Sequence, residues 1–197
     1  MPESLMVGMA EAKIARSERE ILVALGLGSC IGLCIYDPIN QIGGLAHIVL
    51  PESGEQQGTP GKFADTALPF ILTLMEKAGG SRIHYRAAIA GGAQLFSFNT
   101  SGTRLDVGPR NIQAVEEALF AHNLRLVAKE VGGSAGRTVQ MFSTGIIRVK
   151  TIGQGERDWV NLAEGITQPA VSRPSVISPL SRVAAVDSSA TVGRVRL

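Results

Sequence analysis

Between residues 20 and 51 three apolar runs follow one another: EILVAL (20–25), IGLCIYD (31–37) and GGLAHIVLP (43–51), separated only by GLGSC and PINQI. Each run is too short for a stable helix and rich in branched residues, so each reads as a buried strand. Links this short make consecutive strands neighbours, so the three are expected side by side and antiparallel. A chain that begins its core this way cannot follow the strand–helix–strand alternation of a doubly wound nucleotide-binding fold.

The rest of the chain fills in around these strands. Residues 51–61 turn polar and glycine-rich, which reads as a surface loop. Ala64, Ala67, Leu68, Ile71, Leu74 and Met75 then recur at helical spacing. Thr59-Pro60 offers that helix a start and Gly79-Gly80 a stop. RIHYRAAIA reads as a strand broken by Gly91-Gly92, and a second helix is expected over 110–122, with Ile112, Val115 and Leu119 on one face. LRLVAKEV, RTVQMF and GIIRVKTI supply three further strands. After Gly155 the periodicity stops, so 1–155 is expected to be one domain and 156–197 a mobile C-terminal tail. The sum is an α/β sandwich of mixed and antiparallel sheet, about eight strands with a few helices.

Composition narrows the function classes. Nineteen basic and 17 acidic residues leave a net charge of +2 with no basic block, so no nucleic-acid partner is expected. No apolar stretch approaches the roughly 20 residues of a membrane helix. The first 20 residues lack the compact apolar segment of a signal peptide, so the cytoplasm is the expected location. The two cysteines, Cys30 and Cys34, would lie about 13 Å apart on a strand, beyond disulfide reach, and read as free thiols.

GLGSC, residues 26–30, invites four readings. As a dinucleotide loop it has the wrong glycine spacing and leads into a strand, which offers no helix N-terminus for a pyrophosphate. As a nucleophile elbow, Gly28-Ser29-Cys30-Ile31-Gly32 has the flanking glycines but lacks the following helix. As a zinc site, Cys30, Cys34 and His47 are three ligands where a closed site takes four. As a cysteine–histidine hydrolase, Cys30 sits at the mouth of a glycine-rich turn and His47 on the strand after next, where neighbouring antiparallel strands can bring residues 17 apart within hydrogen-bonding reach. Against that stand the ordinary fates of both residue types, an inert buried thiol and a core histidine. Lys62 and Asp65, and Arg110-Asn111 at the start of the second helix, read more readily as structural than as substrate contacts. His84 and His122 suggest no role.

Six blocks in order now resemble a known family. LGLGSCIGLCIYDP, GGLAHIVLPES, PGKFADTALPFIL, AAIAGGAQLF, VGPRNIQAVEEAL and VGGSAGRTVQMFSTGIIRVK are similar to the chemoreceptor glutamine deamidases, CheD, over roughly residues 5–152. The resemblance implies a fold related to the catalytic domain of cytotoxic necrotizing factor toxins. It implies hydrolysis of selected glutamines to glutamates on methyl-accepting chemotaxis receptors, with release of ammonia and with no metal or organic cofactor. The family's nucleophilic cysteine matches Cys30 and its histidine matches His47. Backbone N–H groups of the Gly28–Ser29–Cys30 turn are the candidates to hold an oxyanion.

One position departs from the family pattern. The third catalytic member, a threonine six residues before the cysteine, is here Ala24, which cannot hydrogen-bond an imidazole. Ser29, Thr59 and Thr66 are possible substitutes as the orienting group, as are a carbonyl or a water. The alternative reading is a weakly active or inactive adaptor that binds receptors or the CheC phosphatase, both of which are partners in the family.

Overall fold

The structure is a computed structural model that describes residues 2–55, 58–94 and 106–164. Ten strands and two helices run in the order β1 (Glu3–Met6), β2 (Ala12–Ala15), β3 (Glu20–Leu27), β4 (Ile31–Asp37), β5 (Ile42–Ile48), α1 (Ala64–Lys77), β6 (Arg86–Gly91), α2 (Val107–Ala121), β7 (Arg125–Val131), β8 (Arg137–Phe142), β9 (Ile146–Thr151) and β10 (Gly155–Asn161). They form two five-stranded sheets, β1-β3-β8-β9-β10 and β2-β5-β4-β6-β7, each mixing parallel and antiparallel neighbours. The α/β sandwich expected from the sequence is what forms.

The layers follow from which faces are apolar. β4 and β5 are buried at every position, as unbroken apolar runs require. Along β4 the side chains alternate between two cores. Ile31, Leu33 and Ile35 pack with Leu68, Ile71, Leu72 and Met75 of α1 and with Val115 and Leu119 of α2. Cys34 and Tyr36 face the opposite way, into the space between the sheets with Leu22, Val139, Met141 and Val149. The second sheet is therefore the middle layer, with the first sheet on one face and both helices on the other.

Three expectations need correction. β4 and β5 pair antiparallel in the expected way, but β3 pairs with β1 and β8, so it is in the opposite sheet from β4. GLGSC is thus a crossover between sheets and not a hairpin. The register of β3 against β8 shifts at a bulge between Ala24 and Leu27, where Gly26, at φ +66, adopts a left-handed conformation. Two short strands, β1 and β2, form in the N-terminal stretch that showed no periodicity. Their runs are four residues each, β1 mostly exposed and β2 largely half-buried, too short to leave a pattern.

The third correction is at the other end. The boundary expected at 155 falls inside β10, which pairs along β9. Leu162 is fully buried, and Arg86 Nη1 donates to the carbonyls of Leu162, Ala163 and Glu164. This edge strand, GERDWVN, is charged and exposed through its first half and its register shifts between Asp158 and Val160, so it lacked an alternating signature. The rest of the expected tail, from 165 on, lies outside the described residues. RIHYRAAIA also splits into a 3₁₀ turn, Arg82–His84, followed by β6.

Candidate active site

The sheet crossover leaves Cys30 at one end of the space between the sheets. Cys30 belongs to the inter-sheet core with Leu27, Cys34 and Ala90, and is 9% exposed where Cys34 is 1% exposed. Three bonds from outside hold the turn. Ala93 N–H donates to Gly28 O at 2.7 Å, Gly92 N–H to Cys30 O at 2.8 Å, and Asn111 Nδ2 to Ser29 O at 2.8 Å. Such close approach is why Gly91 has no side chain: a Cβ there would stand 2.2 Å from Cys30 O.

His47 reaches the same place from β5. It stands opposite Gly32, and directly opposed residues of an antiparallel pair share a face. A Cβ at Gly32 would touch Leu27 and Val139, which fixes that face as the one between the sheets. Cys30 precedes Gly32 by two residues, so Cys30 and His47 are diagonal neighbours, a relation that places Cβ atoms at roughly 7 Å or less.

The N-terminal segment wraps the histidine. Ala10 N–H donates to His47 O at 3.0 Å and His47 N–H to Glu11 O at 2.9 Å. The ring Nδ1 lies 3.3 Å from Val7 O. A carbonyl only accepts, so Nδ1 carries the proton and Nε2 is left with its lone pair. Val7 is itself anchored, donating its N–H to Val23 O at 2.8 Å. Nε2 is buried and has no hydrogen-bond partner among the described residues, Cys30 Sγ included. Contacts of this kind are commonly loose before substrate arrives and tighten once it is bound.

Electrostatics keep both groups neutral at rest. Burial pushes the Cys30 thiol above its usual value, while its own backbone N–H acts in the opposite sense. Burial also lowers the His47 pKa, against the raising effects of the Val7 carbonyl and the Glu11 carboxylate. The pair at neutral pH is therefore a thiol beside a basic imidazole, not a thiolate–imidazolium pair. A substrate carbonyl that accepts the sulfur would draw the thiol proton onto Nε2.

The other residues singled out in the sequence sort cleanly. Ala24 is fully buried in the inter-sheet core, opposite Val139. Thr59 Oγ1 donates to Ala10 O, and Thr66 Oγ1 to Pro60 O, so neither hydroxyl serves the imidazole. Lys62 lies over the Phe63 ring and Asp65 accepts from Ser53. His84 stands beside Asp37 at the far end of β4, and His122 ends α2. Among the described residues no group of three His, Cys, Asp or Glu side chains is placed to hold a metal ion. No helix among them is long and apolar enough to cross a membrane.

Two supports of this arrangement leave no mark in the sequence. The Val7 carbonyl could not be found because every residue has a carbonyl. Asn111 was noticed, but nothing showed that its amide would be fully buried between Ser29 O and Val49 O, 2.8 Å from each.

Comparison with known proteins agrees with the blocks. The family model described as CheD chemotactic sensory transduction matches residues 49–151. A probable chemoreceptor glutamine deamidase CheD of Symbiobacterium thermophilum is 44% identical over 156 residues, 77% of this chain and 94% of its own length. One of the same name from Desulfitobacterium hafniense is 43% identical over 159 residues, 80% of this chain and 99% of its own. Among solved structures, the crystal structure of the Bacillus licheniformis hypothetical protein YfiH matches with a TM-score of 0.42 at 14% identity, over 62% of this chain and 51% of that one. With such identity sustained across nearly the whole length of its relatives, this chain belongs to the CheD family.

Proposed function

We propose that this chain is a cysteine amidohydrolase that converts glutamine side chains of chemotaxis receptors to glutamates, with Cys30 as nucleophile and His47 as base and acid. One observation carries the reading: His47 has Nδ1 bound to the Val7 carbonyl and Nε2 free, on the face it shares with Cys30. The substrate class comes from the names of the relatives, which are probable chemoreceptor glutamine deamidases.

The reaction proceeds in two halves. Cys30 Sγ attacks the carboxamide carbon as Nε2 takes the thiol proton, and the C=O π pair moves onto oxygen. The Cys30 N–H, with that of Ser29, holds this oxyanion. The imidazolium then protonates the amide nitrogen, the C–N bond breaks, and ammonia leaves behind a thioester. Water, deprotonated by Nε2, attacks the thioester, and the glutamate carboxyl departs as the thiol is restored. Receptor glutamines on cytoplasmic helices would place this enzyme in the cytoplasm.

Ala24 favoured the adaptor reading, a receptor- or CheC-binding protein without turnover. The Val7 carbonyl supports turnover, since it gives the imidazole an orienting partner that needs no side chain at position 24. The test incubates the protein with receptor cytoplasmic fragments from the same organism and maps their peptides by mass spectrometry. Amide-to-acid conversion with wild type and none with Cys30→Ala is the expected result. Identical spectra for the two would overturn the enzyme reading in favour of the adaptor.

A further inference from the structure

Every carbonyl of the Gly28–Ser29–Cys30 turn is held from outside, but only the middle one by a side chain. A trans peptide unit is planar, with its C=O and N–H pointing in opposite directions. Ser29 C=O and Cys30 N–H belong to one such unit. Asn111 Nδ2, 2.8 Å from Ser29 O, therefore also fixes where the Cys30 N–H points. That N–H belongs to the residue whose sulfur would attack. Once the sulfur bonds to a carbonyl carbon, a backbone donor on the same residue is suited to meet the oxygen that becomes negative.

We infer that Asn111 is a positioning residue for the oxyanion-binding N–H of Cys30, acting through the Ser29 carbonyl; the inference rests on the deamidase reading above.

The surroundings of Asn111 support a positioning role. Its two amide hydrogens are divided between Ser29 O and Val49 O, 2.8 Å each, so the amide orientation is fixed by two acceptors. Val49 follows β5, the strand of His47, and one side chain thus ties the nucleophile's turn to the segment that carries the base. Oδ1 is meanwhile buried without a hydrogen-bond partner, which costs folding free energy that an apolar residue of this size would not. The residue is held for what its donors do. The start of α2 is fitted to deliver it: a Cβ at Gly108 would stand 2.5 Å from Gly92 O, so the helix rests on the same glycine pair that binds Cys30 O.

Two reactions of one thiol separate this role from mere support of the turn. Deamidation passes through an oxyanion, whereas alkylation of Cys30 by iodoacetamide is a direct displacement at carbon that forms none. In Asn111→Ala, kcat on receptor fragments should fall by about 10²-fold with KM within about threefold. The Cys30 alkylation rate, read by peptide mapping, should stay within about threefold of wild type. Asn111→Asp keeps the shape while removing the donors, and should show the same split if Asn111→Ala does not fold. A fall in both reactions together means that Asn111 only supports the turn, and overturns the inference. So does either variant with wild-type kcat. A wild type that deamidates nothing overturns the deamidase reading and this inference with it, which the wild-type control reveals separately.

Discussion

Cys30, in the turn that leads into β4, and Cys34, within β4, occupy the mouth and the middle of the same inter-sheet space. Their chemistry is identical, and burial raises the pKa of both thiols. The differences lie in what surrounds each sulfur. Cys34 has burial alone acting on it and stands opposite Leu45. Cys30 has its backbone N–H offsetting part of that burial, an imidazole with a free nitrogen on the same face, and a turn whose carbonyls are all tied from outside. On the proposed reading, backbone arrangement at the edge of a core would make the nucleophile, and the same residue type deeper along the same space is packing.

The largest effect should break that comparison open. Cys30→Ala is expected to reduce receptor deamidation by roughly 10⁴-fold or more, leaving no product in a mass-spectrometric assay. Cys34→Ala should keep near-wild-type turnover and lose about 1–2 kcal/mol of stability in urea unfolding, because it removes one buried sulfur from a packed core. Loss of turnover in Cys34→Ala at full folding would mean that the two thiols are not separate in function.

The second effect concerns the base. His47→Asn removes the proton acceptor while leaving a polar side chain of smaller size, and kcat should drop by about 10²–10⁴-fold. Iodoacetamide at neutral pH should also label Cys30 well ahead of Cys34 in the folded wild type, since only the former is partly open to solvent. Equal labelling would show the inter-sheet space to be open along its length.

How far the sequence carried these assignments depended on the kind of feature. β4 and β5, buried on both faces, announced themselves as continuous apolar runs, and α1 by its spacing. β1 and β2 are short edge strands that pair with strands well away in the sequence, and β10 is a charged, exposed edge strand with a register shift, so no local pattern marks them. The separation of β3 and β4 into different sheets lies in their long-range pairing, which a short glycine-rich link does not reveal. The candidate pair was legible because thiols and imidazoles are rare enough to notice. Its supports were not: one is an anonymous carbonyl at Val7, the other an amide at Asn111 whose burial follows only from three-dimensional packing.

A third effect is the dependence on pH. The His47 pKa is lowered in the folded protein, so the unfolded chain binds the proton first as pH falls below about 6.5. Folding stability is fully present above that value, declines as pH falls toward the lowered one, and levels off below it. The same shift keeps Nε2 available as a base, so the acidic limb of kcat should lie below the ordinary histidine value. His47→Asn should flatten this part of the stability profile, measured as Tm against pH. An acidic limb at or above the ordinary histidine value would mean that substrate binding or another group controls it.

The smallest effect on turnover, and the sharpest test of the departed position, is Ala24→Thr. A hydroxyl at residue 24 would restore the family's expected side chain, so a damaged triad predicts a large gain in rate. The site predicts otherwise. His47 Nδ1 has one hydrogen to give and the Val7 carbonyl already accepts it, held in place through Val7 N–H and Val23 O. Ala24 is meanwhile fully buried opposite Val139, where two added heavy atoms must displace neighbours. Overpacking of this kind costs about 1–3 kcal/mol. The expected outcome is kcat within about threefold of wild type together with a lower urea midpoint. A tenfold or greater rise in kcat would mean that the carbonyl orients the ring poorly and that the threonine outcompetes it. Because the carbonyl belongs to the backbone beside β3, substitution at position 24 can crowd this bond but cannot remove it, and so the orienting role can pass between side chain and main chain without the base being lost.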